Sequence, residues 1–139
     1  LKFLIDENEI YPILAPLNSM IAGHEFYHVY DFEIDGMKDL DLIPWMADND
    51  FGGIITQDRG QLRDDDERRE LIASNIHWIG RTPPKLNGMK LVAASAATYV
   101  SAFPEVIEGI LEATQPMIFR IKNIPYGKNQ RVKPAPLRY

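Results

Sequence analysis

Apolar residues in this chain gather in two ways, as short unbroken runs and as points at helical spacing. LKFLID (1–6) is an apolar run closed by an acid, and Phe3, Leu4 and Ile5 show no polar alternation. Such a run predicts a strand buried on both faces, and therefore a central strand of a parallel sheet. From Glu9 to Ile21, Ile10, Ile13, Leu14, Leu17, Met20 and Ile21 recur near helical spacing. Pro12 suits a first helical turn, Pro16 predicts an end or a kink, and Gly23 a C-terminal stop. EFYHVYDF (25–32) is aromatic and β-branched and predicts a second strand. After a turn at Gly36, Leu40, Leu42, Ile43, Trp45, Met46 and Ala47 predict a helix with Pro44 in its first turns.

Gly52-Gly53 stops that helix, and GIITQ (53–57) predicts a third apolar strand, again closed by an acid, Asp58. Gln61 to Ser74 is charged, with Leu62, Leu71 and Ile72 as its apolar points, and predicts a surface helix. IHWIG (76–80) predicts the fourth strand and Pro83-Pro84 a loop. Leu91–Val100 and Phe103–Thr114 predict two successive helices, the second opening at Pro104. MIFRIK (117–122) alternates and predicts a fifth strand at an edge. From Tyr126 onward the chain carries Lys128, Arg131, Lys133 and Arg138 among prolines and a glycine. The expected organisation is one domain over 1–124 and an extended basic tail over 125–139. Strand and helix alternate throughout, which predicts an α/β fold: a three-layer α/β/α sandwich around a central, mostly parallel five-stranded sheet.

Composition narrows the chemistry. A chain of 139 residues suits one domain. No apolar run approaches the roughly 18–20 residues that span a bilayer, so no membrane partner is expected. The chain holds no cysteine, which excludes disulfides, thiolate metal sites and thiol nucleophiles. With no signal-peptide pattern at the start, the expected location is cytoplasmic. Fifteen basic and 20 acidic side chains give a net charge of −5, which speaks against a chain dominated by basic nucleic-acid contacts.

The acids are not scattered evenly. Asp6, with Glu7 beside it, and Asp58 close two of the apolar strands, and Asp39 and Asp41 open the second helix. Open parallel sheets bind ligands beyond the carboxyl ends of their strands, so residues 6, 39 and 58 are expected to converge there. Carboxylates held close repel one another, and a divalent cation offsets that repulsion. Carboxylate oxygen with several waters suits Mg²⁺ or Mn²⁺, and such a site implies phosphodiester hydrolysis by an activated water. The plainer reading is that Asp6, Asp39 or Asp41 only caps a helix N-terminus.

These motifs carry a resemblance. LKFLIDENE resembles the opening of PIN-like (PilT N-terminal) domains, where an apolar strand ends in a metal-binding Asp followed by Glu-Asn. Asp39 before Leu42-Ile43-Pro44, then Ile55-Thr56-Gln57-Asp58, and the closing PMIFRIK are similar to the branch related to VapC-type toxin ribonucleases. The resemblance covers nearly the whole chain, through short motifs whose order and spacing together are specific. It implies a Mg²⁺- or Mn²⁺-dependent endoribonuclease with Asp6, Asp39 and Asp58 as metal ligands and catalytic acids. Glu67, at the start of ERRELIA, is the choice for a fourth catalytic acid. RNA is the implied substrate, and a cognate antitoxin protein and a second copy of the chain are the implied partners. The run Asp64-Asp65-Asp66 departs from the family, whose members tend to be more basic there.

Arg59 and Arg63 follow the third strand and are candidates for phosphate contact, or simply neighbours of the acidic run. Lys122 and the basic tail offer phosphate contact or a solubilising arm. His24, His28 and His77 share no ligand spacing and read as structural. Trp45 and Trp78 read as core or dimer-contact residues, and Gly52-Gly53 lacks the context of a phosphate loop. Two other functions compete with the ribonuclease. A response-regulator receiver domain also ends its first strand in an acidic pair and its third in a phospho-accepting Asp. It expects Ser or Thr after the fourth strand and Lys-Pro after the fifth, where this chain has Gly80-Arg81-Thr82 and Lys122-Asn123. A catalytically inactive PIN-like binding module is the other.

Overall fold

The computed structural model describes residues 1–57 and 59–138. Five strands form one sheet: β1 (Lys2–Ile5), β2 (Glu25–His28), β3 (Gly53–Thr56), β4 (His77–Gly80) and β5 (Ile118–Arg120). Their order is β2-β1-β3-β4-β5 and every pairing is parallel. The helices are α1 (Leu14–Met20), α2 (Asp39–Asp48), α3 (Gly60–Arg63), α4 (Asp65–Ala73) and α5 (Gly88–Glu112). Among the described residues no helix is long and apolar enough to cross a membrane.

Alternate side chains of the central strands divide the core in two. Phe3, Ile5, Ile55 and Ile79 pack on one face with Leu17 of α1 and with Tyr99, Phe103, Val106 and Ile107 of α5. Leu4, Ile54 and Trp78 meet Leu42, Ile43 and Met46 of α2 and Leu71 of α4 on the other. Helices therefore cover both faces, and β1 and β3 need apolar residues at successive positions. The rings of Phe3 and Phe26 stack at 5.1 Å, and Phe103 meets both edge-on at 5.0 Å. At the edge strand β2, Asn18 of α1 takes the place of a neighbour. Its Nδ2 donates to the Phe26 carbonyl (2.9 Å), and the Phe26 N–H donates to its Oδ1 (3.0 Å).

The structure redraws four element boundaries. The first helix does not run from Glu9: a 3₁₀ turn at Tyr11–Ile13 leads into α1. Pro16 thus falls in the first turn of α1, where no N–H is required. The second strand stops at His28, because local bonds take over the backbone. The Tyr30 N–H donates to His28 Nδ1 (3.2 Å), and the His28 N–H donates to the Asp31 carboxylate (2.8 Å), opening a 3₁₀ turn at Val29–Phe32. The charged segment after β3 divides into α3 and α4 at Asp64, whose Oδ1 accepts the N–H groups of Asp66 and Glu67. The two helices expected over 91–114 are one, α5, which continues through Pro104. Tyr99, Phe103, Val106 and Ile107 keep one buried face at helical spacing across the proline, and that packing outweighs the one lost backbone bond.

Two details bear on the carboxyl rim of the sheet. A Cβ on Gly80 would lie 2.5 Å from the Thr56 carbonyl oxygen, so glycine lets β4 close against β3. Residues 125–138 hold no helix or strand and are exposed. Their start is tied to α5 by the Ile124 N–H, which donates to Thr98 Oγ1 (3.1 Å).

His77 joins β4 to the start of β5: its Nδ1 accepts the Met117 N–H at 3.0 Å. Burial pushes this imidazole below its ordinary 6.5. The folded form therefore holds the proton less tightly than the unfolded form. Its stabilising contribution is complete above pH 6.5 and is lost as pH falls toward the depressed folded value. Urea denaturation is expected to show a lower midpoint near pH 5.5 than near pH 7.5. His77→Asn, whose Oδ1 can replace Nδ1 as acceptor, should flatten part of that slope.

Candidate active site

All five strands point their carboxyl ends to one rim. The chain leaves β1 toward one side of the sheet and β3 toward the other, which opens a crevice between their loops. Asp6 follows β1 directly and is buried. Its Oδ2 accepts the Thr56 hydroxyl of neighbouring β3 (2.6 Å), and its Oδ1 accepts the Asn8 N–H (2.9 Å). It caps no helix. Asp39 is the first residue of α2, one place past the Lys38 cap position, and lies with Asp41 in the first turn, where a carboxylate also suits the positive end of the helix.

Asp6, Glu7, Asp35 and Asp39 line one narrow cleft with an open core of about 20 Å³. That is room for a water-sized occupant. The Gly36 N–H donates to Glu7 Oε2 (3.1 Å), which ties the loop before α2 to the loop after β1. Glu7, Asp39, Asp41 and Glu67 line a wider groove alongside. Glu67 thus lines the same groove as Asp39, and its helix begins two residues earlier than the sequence suggested. Asp58 lies outside the described residues. Among the described residues no three Asp, Glu or His side chains close together as a metal cage. The cleft's donors are nonetheless carboxylates of the kind that hard divalent cations take.

Arg59 is exposed beside β3, and its Nη2 donates to the Thr82 hydroxyl across the β3–β4 rim. Arg59 is thereby tied to the loop after β4. Arg63 ends α3 and is exposed.

Sequence reasoning missed the groups that hold this rim together. Glu9 and Arg81 form an ion pair with both side chains fully buried. Arg81 Nε donates to Glu9 Oε2 (3.0 Å) and Nη2 to Oε1 (2.9 Å), a two-pronged match of guanidinium and carboxylate. Glu9 Oε1 also accepts from Gln57 Nε2 (2.8 Å) and the Ile10 N–H (2.9 Å), and Oε2 accepts from the Tyr99 hydroxyl. Arg81 further donates to Ser95 Oγ (2.8 Å) and Asn123 Oδ1 (3.2 Å). Burial alone works to raise the Glu9 carboxyl, but the bonds from Arg81 and Tyr99 outweigh it and hold it below the usual range. The Tyr99 hydroxyl is pushed well above 10, by burial and then by the Glu9 charge. His28 Nδ1 accepts a backbone N–H, so its proton sits on Nε2, which faces the Glu9 carbonyl at 3.3 Å. The sequence did hold a signal: Ser95, Thr98 and Tyr99 form a polar stripe on an otherwise Ala-rich helix, and Arg81 ends an apolar strand.

Comparison with known proteins finds no family model, no curated protein and no solved structure that matches this chain. The fold and the rim geometry therefore stand on their own.

Removing one partner of a fully buried pair strands the other charge. Arg81→Met alone is expected to lose about 3–5 kcal/mol of stability. Glu9→Met with Arg81→Met should recover part of that loss, because neither charge is then left alone. Urea unfolding of the two variants beside wild type measures the difference.

Proposed function

We propose that this chain is a Mg²⁺- or Mn²⁺-dependent endoribonuclease of the PIN-like class, with Asp6, Asp39 and Asp58 as its metal-binding acids. The observation that supports it is the cleft shared by Asp6 and Asp39, 33 positions apart in the chain, at the carboxyl rim of the sheet. When bound, the cation supplies an acidified water and neutralises charge developing on a phosphoryl oxygen. Thr56 holds the Asp6 carboxylate through Oδ2 and fixes its orientation. Glu67, in the adjoining groove with Asp39 and Asp41, adds a fourth acid where substrate would lie. Arg59 and Arg63 supply charge for the phosphate backbone. A toxin role, with an antitoxin as inhibitor, belongs to the same reading.

One observation favours a second reading. The strand order β2-β1-β3-β4-β5 is also that of receiver-type modules. Against it, Arg81 follows β4 where such a module needs a hydroxyl, and it is committed to Glu9. The corresponding position after β5 holds Asn123, which bonds Arg81 and the Thr82 carbonyl.

Single-stranded RNA incubated with Mn²⁺ should be cut by wild type. Asp6→Asn and Asp58→Asn should each lower the rate at least about 100-fold, while circular dichroism shows the fold retained. Equal cutting by wild type and variants would sink the proposal. So would the absence of any cutting together with labelling of Asp58 by a small phosphodonor, which would favour the receiver.

A further inference from the structure

A groove runs between the first turns of α5 and the segment 124–132. Three cations line it, Lys90, Lys128 and Arg131, and no acidic residue does. In a chain of net charge −5 this is a marked segregation of charge. The three cations are all exposed, so their charges are not consumed by the interior. α5 carries no acidic residue in its first turn, so nothing there offsets the positive end of a 25-residue helix. Tyr126, 44% exposed, adds an aromatic face to the groove wall.

The position of the groove matters as much as its charge. α5 starts after the carboxyl end of β4, and segment 124–132 follows the carboxyl end of β5. The groove therefore opens toward the same rim as the acidic cleft, but on the α5 side of the sheet, whereas the cleft lies on the α2 side. From β1 to β5 is three strand spacings, about 14 Å. Arg59 and Thr82 lie between the two ends, on the loops after β3 and β4. Positive charge with an aromatic platform matches a single-stranded sugar-phosphate backbone, whose bases can stack as its phosphates pair.

We propose that this groove binds single-stranded RNA and leads it across the rim to the acidic cleft. The choice of RNA rests on the nuclease reading, whereas the preference for a polyanion rests on the groove alone.

The test uses the full chain and a fluorescein-labelled 12-nucleotide single-stranded RNA in EDTA, so that cleavage does not enter. Fluorescence anisotropy is read across a salt series. Lys128→Glu with Arg131→Glu should weaken binding at least about tenfold and lower the slope of log K against log salt by about 1.4. Arg69→Glu, a charge reversal on exposed α4, should leave affinity close to wild type. Equal binding by wild type and the double variant overturns the proposal, as does a loss in Arg69→Glu about half as large on the logarithmic scale, the share its smaller change of charge predicts, which would make net charge the cause. A polyglutamate peptide that displaces the RNA at lower concentration overturns it in favour of an acidic protein partner. The two proposals fail separately. RNA held in EDTA but never cut in Mn²⁺ sinks the nuclease and keeps the groove. Cutting with no loss of binding in the double variant sinks the groove and keeps the nuclease.

Discussion

The buried pair of Glu9 and Arg81 is the constraint on which the rim of this molecule depends. Neither ion can lie in the interior alone, so each needs the other and a full set of hydrogen bonds. Meeting that requirement draws in residues from the loop after β1, the ends of β3 and β4, the middle of α5 and the segment after β5. The result couples parts of the chain 72 and 90 positions apart. Gln57, which immediately precedes Asp58, is one of the bonded groups. The pair thus ties the loop after β1, which also carries Asp6 and Glu7, to the ends of β3 and β4 and to α5.

The legibility of the fold followed the strength of local signals. β1 and β3 were readable because burial on both faces demands unbroken apolar runs, and few alternatives share that pattern. The boundaries that moved did so where side chains act on the backbone. His28 and Asp31 ended a strand that β propensity would have extended. The continuous apolar face of α5 overrode Pro104, a residue that local rules read as a start. In the candidate site, Asp6 and Asp39 were legible as acids at element ends. Glu9 and Arg81 were not, because a partner 72 residues away leaves no trace in local spacing.

Charge is distributed along the rim in a way that the net value conceals. Acids gather at the β1–α2 side and cations at the β4–β5 side, with Arg59 between them. An overall excess of five negative charges first argued against a polyanionic partner. The separation removes that objection, since a strand of phosphates meets local fields within about 10 Å and not the sum over the molecule.

Asn18 has a consequence for how copies of this protein meet. An open sheet has two margins, and an unpaired margin recruits strands from other molecules. The amide of Asn18 occupies both outward backbone groups of Phe26, at the middle of the β2 margin. That margin is therefore shut to intermolecular strand addition by a single side chain borrowed from a helix. Strand addition along that side is thereby blocked at its centre by the fold itself, with no charged residue on the strand needed to repel a neighbour.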